Sequence, residues 1–472
     1  MKSMFKPVDP EVVQKYGVTG FMYTEYPHKS QWNQGFGQED FTKALLRLKE
    51  DDPEAPVLLY VHLPYCEQLC WFCSCHVFIS KKYERVRAFL DLLEKEITLL
   101  EAAFDSLGWR PNIKEVHLGG GSPTYLSEED FVELKSCLET ICDFGQLREL
   151  AMEIDPRRVD VKRMLFYADQ GVSRISIGVQ DFDLLVQEAV NRVQPPELIE
   201  NLLTPQVRER FTSINFDFLC GLPRQTLNTI RQTMERAAAM KPDRVCFNYL
   251  HYTPKTTRHQ QMMPEKEIPD FNQRKEIFQA GMATLLSNGY LRTGYDHFSR
   301  PCDRVAVAQT KGDMAWNSLG ITPGDCVNIL GIGPHSYSRI GENFYSQNHY
   351  EIRSYRDSLN DGRLPIYRGL ELSVEDVLRR DLIQTLRSYF EIDMSKYASE
   401  YEIEFESHFK SEIKALMKFE ADGLVRVTAG KIIVTDLGKL FVNLICRVFD
   451  SYYVDDLSNR DFFRYKAVGT PS

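Results

Sequence analysis

Six short apolar segments alternate with helix-like segments through the first half of the chain, and this alternation constrains the fold more than any other feature. The apolar segments are rich in β-branched residues and have the length of strands. They lie at residues 58–62, 116–118, 151–154, 174–178, 214–219 and 244–249. The stretches between them have helical periodicity, and Ser127 is placed to cap one of them. Because parallel strands need helical crossovers, the pattern predicts a parallel sheet.

Six βα units are fewer than the eight that close a TIM barrel. The sequence therefore predicts an α/β fold with a partial (β/α)6 barrel at residues 56–265. An open barrel can admit a large substrate. Barrel active sites form at the C-terminal ends of the strands, so we expect the functional residues there.

The segments outside the barrel differ from it in composition. Residues 1–55 are rich in aromatic residues and turn formers, and they predict an N-terminal arm. Residues 266–365 carry a helix at 271–287 and a glycine-rich stretch, and they predict a barrel extension that forms the substrate region. Residues 366–472 predict a helical, winged-helix-like C-terminal domain. Its expected elements are helices at 374–389, 405–422 and 437–449, and a hairpin at 424–435.

Charge and hydropathy exclude several classes of protein. The net charge is −10, whereas nucleic-acid-binding proteins normally have a basic surplus. No run of 18 apolar residues is present, so no membrane span is expected. The first residues lack the apolar core of a signal peptide. We therefore expect a cytoplasmic protein.

Four of the eleven cysteines fall within ten residues, at Cys66, Cys70, Cys73 and Cys75. The first three have the spacing Cys-x3-Cys-x2-Cys and follow the first predicted strand. Soft thiolates suit an iron–sulfur cluster or zinc. Structural zinc normally takes four protein ligands, and Cys75 is poorly spaced to be the fourth. Three ligands leave one iron of a [4Fe–4S] cluster open to chelate S-adenosylmethionine (SAM), so the spacing favours a SAM-cleaving cluster.

The cysteine loop and the predicted fold resemble the radical SAM superfamily, and more narrowly the oxygen-independent coproporphyrinogen III oxidase family. The similarity spans nearly the whole chain, from residues 13–17 and the 23–27 stretch to the segments 379–383 and 449–452. Cys75 resembles an extra cysteine of that family that is not an iron ligand. The resemblance implies a [4Fe–4S] cluster on Cys66, Cys70 and Cys73.

The resemblance also implies a SAM pocket at the strand ends. Glu153 resembles a carboxylate partner of SAM, and Arg192 resembles the partner of the SAM carboxylate, a role that suits a guanidinium. Bare glycine backbone after the second strand would let the methionine moiety approach. The residues assigned to SAM are Tyr60, Phe72, Gly120, Gly121, Ser122, Glu153, Gln180, Arg192, Asp217 and Leu250. The residues assigned to catalysis are Tyr60, Glu153 and His62, with His62 either a proton acceptor or a structural hydrogen-bonding group.

The substrate side departs from the family pattern. Met22 stands where the family has an arginine, and Asn317-Ser-Leu-Gly320 replaces Asn-Phe-Gln-Gly in a segment that contacts a second SAM. His335 replaces a small residue. Arg157 and Arg158 are candidate partners of substrate carboxylates or, alternatively, a solvated charge pair. The number of SAM molecules, one or two, stays open.

The resemblance implies the oxidative decarboxylation of two propionates of coproporphyrinogen III to vinyl groups, within haem biosynthesis. Two alternatives stay open at this point. One is a paralogue that acts as a methyltransferase, a cyclopropanase or a haem-modifying enzyme. The other is a haem chaperone, although residues 347–350 (Gln-Asn-His-Tyr) are closer to the oxidase form than to the chaperone motif.

The expected partners follow from this chemistry. They are a tetrapyrrole-like substrate and a reducing electron donor such as flavodoxin or ferredoxin. We expect no nucleic acid, no membrane span and a monomeric protein.

Overall fold

The computed structural model describes residues 10–16, 25–324, 326–454 and 464–465. The chain divides into two compact units. Residues 33–268 and 326–371 form the first, which we call the barrel unit. Residues 1–32, 269–325 and 372–472 form the second, which we call the helical unit. The four-part division at residues 55, 265 and 365 stays a prediction.

All six predicted strands are present in the barrel unit, and each is parallel to the next. They are β1 Pro56–Leu63, β2 Asn112–Gly120, β3 Glu149–Ile154, β4 Arg174–Gln180, β5 Ser213–Cys220 and β6 Arg244–Tyr249. Seven of the eight residues of β1 are buried, as expected for a parallel strand covered on both faces. The fold class predicted from the sequence is confirmed.

The barrel unit contains a seventh parallel strand that was not predicted. This strand, β7, pairs with β1 on the side opposite β2. The missed strands are β7 Asn328–Ile332, β8 Tyr337–Ile340, β9 Phe344–Asn348 and β10 Ile366–Glu371. The ten strands follow the order β10-β9-β8-β7-β1-β2-β3-β4-β5-β6. From β7 to β10, each strand is antiparallel to the next. Glycines obscured the pattern, and Gly331 is required because a Cβ there would lie 2.2 Å from the Tyr337 carbonyl oxygen.

Helices cover the parallel strands of the barrel unit. They are Gln38–Asp51, Tyr83–Leu107, Glu128–Leu138, Val161–Asp169, Leu184–Ala189, Pro196–Leu202, Pro205–Arg208, Leu227–Met240 and Ile352–Asn360. The longest, Tyr83–Leu107, buries apolar residues at helical spacing, including Leu93, Ile97, Leu100 and Phe104.

The helical unit contains short sheets among helices. Its α-helices are Pro10–Tyr16, Phe271–Ser287, Arg304–Lys311, Val374–Tyr389, Met394–Glu400, Phe405–His408, Lys410–Ala421 and Val442–Cys446. Its strands are Leu291–Arg292, His297–Ser299, Ala315–Asn317, Gly320–Thr322, Glu391–Asp393, Val425–Thr428, Lys431–Val434, Tyr453–Val454 and Arg464–Tyr465. The three strands between residues 391 and 434 form one sheet, consistent with the expected wing.

Two of the predicted C-terminal helices are wrong in extent. The helix expected at 405–422 is interrupted at Phe409, which is fully buried and has φ −101° and ψ 32°. The helix expected at 437–449 is interrupted at Phe441, with φ −121°. In both cases a buried aromatic side chain at the interruption outweighs the helical periodicity around it.

Among the helices that the structure describes, none is long and apolar enough to span a membrane.

Candidate active site

The cysteine loop follows β1 and is closed at its base by backbone hydrogen bonds. Cys66 lies in a two-residue strand, Tyr65–Cys66, that pairs in parallel with Phe78–Ile79. The Phe78 N–H donates to the Pro64 carbonyl at 2.7 Å, and the Ser80 N–H donates to the Cys66 carbonyl at 3.0 Å. Cys70 is buried, whereas Cys66 and Cys73 are half-buried and Cys75 is exposed. The loop therefore has a fixed geometry before any cofactor is considered.

A segment that follows β4 holds the middle of this loop. The Asn191 side-chain amide donates to the Leu69 carbonyl at 2.8 Å. The Trp71 N–H donates to the Val190 carbonyl at 3.0 Å. Asn191 has a positive φ of 55°, which asparagine tolerates better than most residues. Sequence reasoning assigned no role to Asn191.

A segment that follows β6 holds the end of the loop. The His259 Nε2 donates to the Cys73 carbonyl at 2.7 Å, and the Gln260 side-chain amide donates to the Phe72 carbonyl at 3.1 Å. Gln260 is fully buried, and its amide also donates to the His251 carbonyl. Sequence reasoning missed both residues, because they lie about 190 positions from the cysteines and belong to no recognisable motif.

The three thiols fit an iron–sulfur cluster better than a single metal ion. Among the residues that the structure describes, no group of three or more His, Cys, Asp or Glu side chains converges as ligands of one ion. Zinc would need such convergence. In a four-iron cluster each thiolate binds a different iron, so the thiolates can lie further apart. The donor set of Cys66, Cys70 and Cys73 therefore suits a [4Fe–4S] cluster with one open iron.

Two guanidinium groups lie against the Cys70 sulfur. Arg192 Nη1 lies 3.4 Å from Cys70 Sγ, and Arg157 Nη2 lies 3.8 Å from it. Arg157 also pairs with Asp155, at 2.7 Å between Nη2 and Oδ2. Arg158 pairs with Glu67 and lies over the Tyr125 ring. Both candidate partners of substrate carboxylates thus already face carboxylates of this chain.

The two glycines that end β2, and Gly121 directly after it, lie where a Cβ would approach other atoms too closely. A Cβ on Gly119 would lie 2.6 Å from Glu153 Oε1, and a Cβ on Gly120 would lie 2.4 Å from His62 Nδ1. A Cβ on Gly121 would lie 2.7 Å from the Pro64 backbone. The Gly120 N–H donates to Glu153 Oε2 at 3.1 Å, which joins the glycine turn to the end of β3. The predicted residues of these two strand ends are therefore in direct contact.

Tyr60 and His62 form a hydrogen-bonded chain beneath the glycines. His62 Nε2 lies 3.0 Å from the His76 carbonyl, so that nitrogen carries a proton and donates. Neutral His62 therefore accepts at Nδ1, which lies 3.1 Å from the Tyr60 hydroxyl. Burial raises the pKa of Tyr60 well above its usual value, so the phenol stays protonated and donates. These hydrogen bonds match the structural alternative for His62, and the assignment of His62 to catalysis stays a prediction.

Gln180 and Arg192 lie side by side at the end of β4. Gln180 has a positive φ of 68°. Arg192 Nη2 donates to the Gly178 carbonyl at 2.7 Å. A Cβ on Gly178 would lie 2.9 Å from Arg192 Nη2 and 3.1 Å from Gln180 Nε2, so glycine at this position makes room for both side chains.

Asp217 lies within β5, which continues to Cys220, so the expected position at the strand end is wrong. Its carboxylate is held by one donor from β4 and one from β5 itself. The Ser176 hydroxyl donates to its Oδ2 at 2.5 Å, and the Asn215 amide donates to its Oδ1 at 2.7 Å.

Phe72 and Leu250 contribute to an apolar cluster beside the cysteine loop. Leu250 is buried with Val186, Val190, Leu222 and Met263, and Phe72 and Trp71 pack against this cluster. Such a surface suits an uncharged aromatic ring of a ligand. Ser122, by contrast, is bonded to Thr124 between side-chain oxygens 2.9 Å apart.

The positions that depart from the family pattern are Met22, the 317–320 segment and His335. Met22 lies outside the residues that the structure describes. Asn317-Ser-Leu-Gly320 forms the turn of a hairpin in the helical unit, where the Leu319 N–H donates to Asn317 Oδ1 at 2.8 Å. In the barrel unit His335 has a positive φ of 67°, and its ring centroid lies 4.8 Å from that of His76.

Two family models match the chain. The radical SAM superfamily model matches residues 60–237, and the HemN C-terminal domain model matches residues 372–441. Together with the open parallel barrel and its cysteine loop, these matches define a radical SAM enzyme, a class that uses a [4Fe–4S] cluster and SAM.

Relatives match over almost their whole length. The chain is 34% identical over 457 residues to the oxygen-independent coproporphyrinogen III oxidase of Escherichia coli, covering 97% of this chain and 98% of the relative. It is 36% identical over 461 residues to the Pseudomonas aeruginosa oxidase of the same name, with the same coverage. The chain belongs to the oxygen-independent coproporphyrinogen III oxidase family.

A solved structure agrees with this assignment. Coproporphyrinogen III oxidase (HemN) from Escherichia coli, a radical SAM enzyme, matches with a TM-score of 0.85 and 34% identity, covering 95% of this chain and all of that one. The predicted family, fold class and cofactors are confirmed. The comparisons do not favour the methyltransferase, cyclopropanase, haem-modifying or chaperone alternatives.

Proposed function

We propose that this chain converts coproporphyrinogen III to protoporphyrinogen IX, by oxidative decarboxylation of two propionate side chains without molecular oxygen. The observation that carries the proposal is the position of the cysteine loop. It lies among the polar strand ends of an open barrel, in a chain 34–36% identical to coproporphyrinogen III oxidases over 97% of its length.

The cofactor-binding residues belong to this proposal. Cys66, Cys70 and Cys73 would hold the cluster, and Glu153 and Arg192 would bind the SAM. When bound and reduced, these cofactors supply a 5′-deoxyadenosyl radical, chemistry that belongs to the cofactor rather than to the protein.

The protein's own contribution is to position groups and to exclude water. Glu153 is fixed by the Gly120 N–H, so its carboxylate is held in place before SAM arrives. Tyr60 is hydrogen-bonded to His62, and Phe72 packs against the apolar cluster that contains Leu250. Such preorganisation lowers the cost of orienting the reacting groups.

Both propionate side chains react in the same way. Each propionate loses one hydrogen atom from its β-carbon, its carboxylate leaves as carbon dioxide, and one electron passes to an acceptor. The side chain that remains is a vinyl group. Two propionates react in turn. A reducing donor such as flavodoxin or ferredoxin, a monomeric state and a cytoplasmic location belong to the same proposal.

The test is a product assay under strict exclusion of oxygen. The reconstituted protein receives dithionite, SAM and coproporphyrinogen III, and mass spectrometry follows the loss of two carbon dioxide molecules. Cys70→Ser should abolish the product, whereas Cys137→Ser, a half-buried cysteine outside the loop, should retain it. Formation of 5′-deoxyadenosine without any vinyl product would contradict the proposed substrate.

A further inference from the structure

One cysteine of the loop has a charged environment that SAM binding explains only in part. Cys70 is only 8% exposed, and the guanidinium groups of Arg157 and Arg192 both lie against its sulfur. Arg192 is assigned to SAM by resemblance. Arg157 has no such assignment, so its position next to Cys70 needs another explanation.

Asp155 holds the Arg157 guanidinium in one orientation. Asp155 Oδ1 accepts from the Arg157 backbone N–H at 3.1 Å and from its Nε at 2.9 Å, and Oδ2 accepts from Nη2 at 2.7 Å. Pro156 at the start of the 3-10 turn Pro156–Arg158 stiffens the backbone between the two residues. The Arg157 guanidinium is therefore already held in its orientation towards the Cys70 sulfur by Asp155.

The pair is shielded from solvent. The side chains of Arg157 and Asp155 are 17% and 16% exposed, so salt and water screen their charges less than they would at the surface. Reduction of an iron–sulfur cluster adds negative charge. Hydrogen bonds to the cysteine sulfurs and nearby charge are among the properties that set its potential. A cation at Cys70 stabilises the reduced form, and a carboxylate behind it opposes that effect.

We propose that Arg157 and Asp155 form a positioning pair that sets the reduction potential of the cluster through the Cys70 sulfur. Arg157 raises the potential and Asp155 lowers it. This inference rests on the proposed function only in requiring a cluster on Cys70. It does not depend on the substrate.

The adjacent arginine provides a matched control. Arg158 carries the same charge one residue away, but it pairs with Glu67, lies over the Tyr125 ring and is 34% exposed. Loss of Arg158 changes the net charge by the same amount as loss of Arg157. A difference between the two variants therefore isolates the contact with Cys70 from the change in overall charge.

The experiment is a potentiometric titration of the reconstituted full-length protein without SAM or substrate, followed by electron paramagnetic resonance. Arg157→Gln should shift the midpoint to a more negative potential, Arg158→Gln should shift it less, and Arg157→Lys should fall between Arg157→Gln and the wild type. Asp155→Asn should shift the midpoint in the positive direction. Iron and sulfide analysis confirms the cluster content of each variant.

Equal midpoints for Arg157→Gln and Arg158→Gln would overturn the inference. Should Arg157→Gln fail to bind the cluster, Asp155→Asn decides, and an unchanged or more negative midpoint in that variant would also overturn it. Absence of a cluster in the wild-type protein would instead count against the proposed function. A merely structural pair would give no shifts of opposite sign.

Discussion

At the scale of single residues, the candidate site depends on positions where the backbone at the end of one strand lies against the backbone at the end of the neighbouring strand. Gly121 shows this most clearly, since its Cα faces the Leu63 and Pro64 backbone that leads into the cysteine loop. A flexible side chain could move aside, but a backbone at this distance cannot. Any added atom must therefore displace the loop itself.

We expect Gly121→Ala to lower the free energy of unfolding by about 1–3 kcal/mol, the usual cost of overpacking, and to weaken SAM binding. Chemical denaturation and equilibrium binding of SAM measure the two effects. Gly37→Ala is the control, because nothing lies within 4 Å of a Cβ at that position. Equal stability of the two variants would show that the turn can relax.

The four clustered cysteines should differ in their effect on the metal content. Cys75→Ser is expected to retain about four irons per chain, the content of a [4Fe–4S] cluster, whereas Cys73→Ser should lose the cluster. Iron and acid-labile sulfide analysis, with the absorbance near 400 nm, provides the measurement. Loss of iron in Cys75→Ser to the level of Cys73→Ser would make Cys75 a ligand and refute the assignment.

At the scale of elements, one buried carboxylate joins the missed strands to the predicted barrel. Glu96, in the helix Tyr83–Leu107, accepts hydrogen bonds from the Gly333 N–H at 2.8 Å, the Tyr355 hydroxyl at 2.5 Å and the Asn348 amide at 2.6 Å. A Cβ on Gly333 would lie 2.4 Å from the His62 carbonyl. Glu96 therefore fixes the turn after β7 against the end of β1.

Burial raises the pKa of Glu96 from 4.5 to about 7. Between these values the folded protein keeps a proton that the unfolded chain has lost, so this carboxyl makes the free energy of unfolding fall as the pH rises through that window. Glu96→Gln has no such proton. Its stability relative to the wild type should therefore rise across the window, by up to about 1.4 kcal/mol per pH unit.

Denaturation of wild type and Glu96→Gln at several pH values between 4.5 and 7 measures this difference. Glu101→Gln, on the same helix and half-exposed, is the control for the effect of the substitution itself. A flat difference for Glu96→Gln would mean that the buried carboxyl is ionised throughout.

The elements also show what the sequence could and could not predict. The helices Phe271–Ser287 and Val374–Tyr389 and the strand Arg244–Tyr249 have the predicted bounds, because their apolar periodicity is uninterrupted. β7 was not predicted because glycine is not a strand-forming residue. Gly331, in β7, and Gly333, just after it, are needed because other backbone atoms lie too close for a side chain. Such contacts are tertiary, and no local pattern records them.

At the scale of the whole molecule, the candidate cofactor site lies within the barrel unit. Its residues come from segments that run from Tyr60 to Gln260. Parallel strands bring their C-terminal ends to one edge, which agrees with the position of Glu153, a residue that the resemblance assigned to SAM. Asn191 and His259 could not be predicted, since they hydrogen-bond to the backbone of a loop that is distant in the sequence.

The helix Val374–Tyr389 belongs to the helical unit, whereas the candidate cofactor site belongs to the barrel unit. We therefore expect the N-terminal cap of this helix to affect stability without affecting the cluster. Ser373 caps the helix Val374–Tyr389, where its hydroxyl accepts from the Asp376 N–H at 3.1 Å. Ser373→Ala should cost about 1 kcal/mol, measured by denaturation, with unchanged iron content. Ser411→Ala, an exposed serine bonded only to its neighbour's side chain in the described contacts, should be neutral. Loss of iron in Ser373→Ala would contradict the prediction.

The central claim is that this chain transfers a hydrogen atom from a propionate of coproporphyrinogen III. The most direct measurement uses substrate deuterated at the propionate β-carbons, with anaerobic, reconstituted enzyme, dithionite and SAM. Mass spectrometry should find deuterium in 5′-deoxyadenosine together with the divinyl product. Deoxyadenosine without deuterium, formed while the substrate remains unchanged, would contradict the claim.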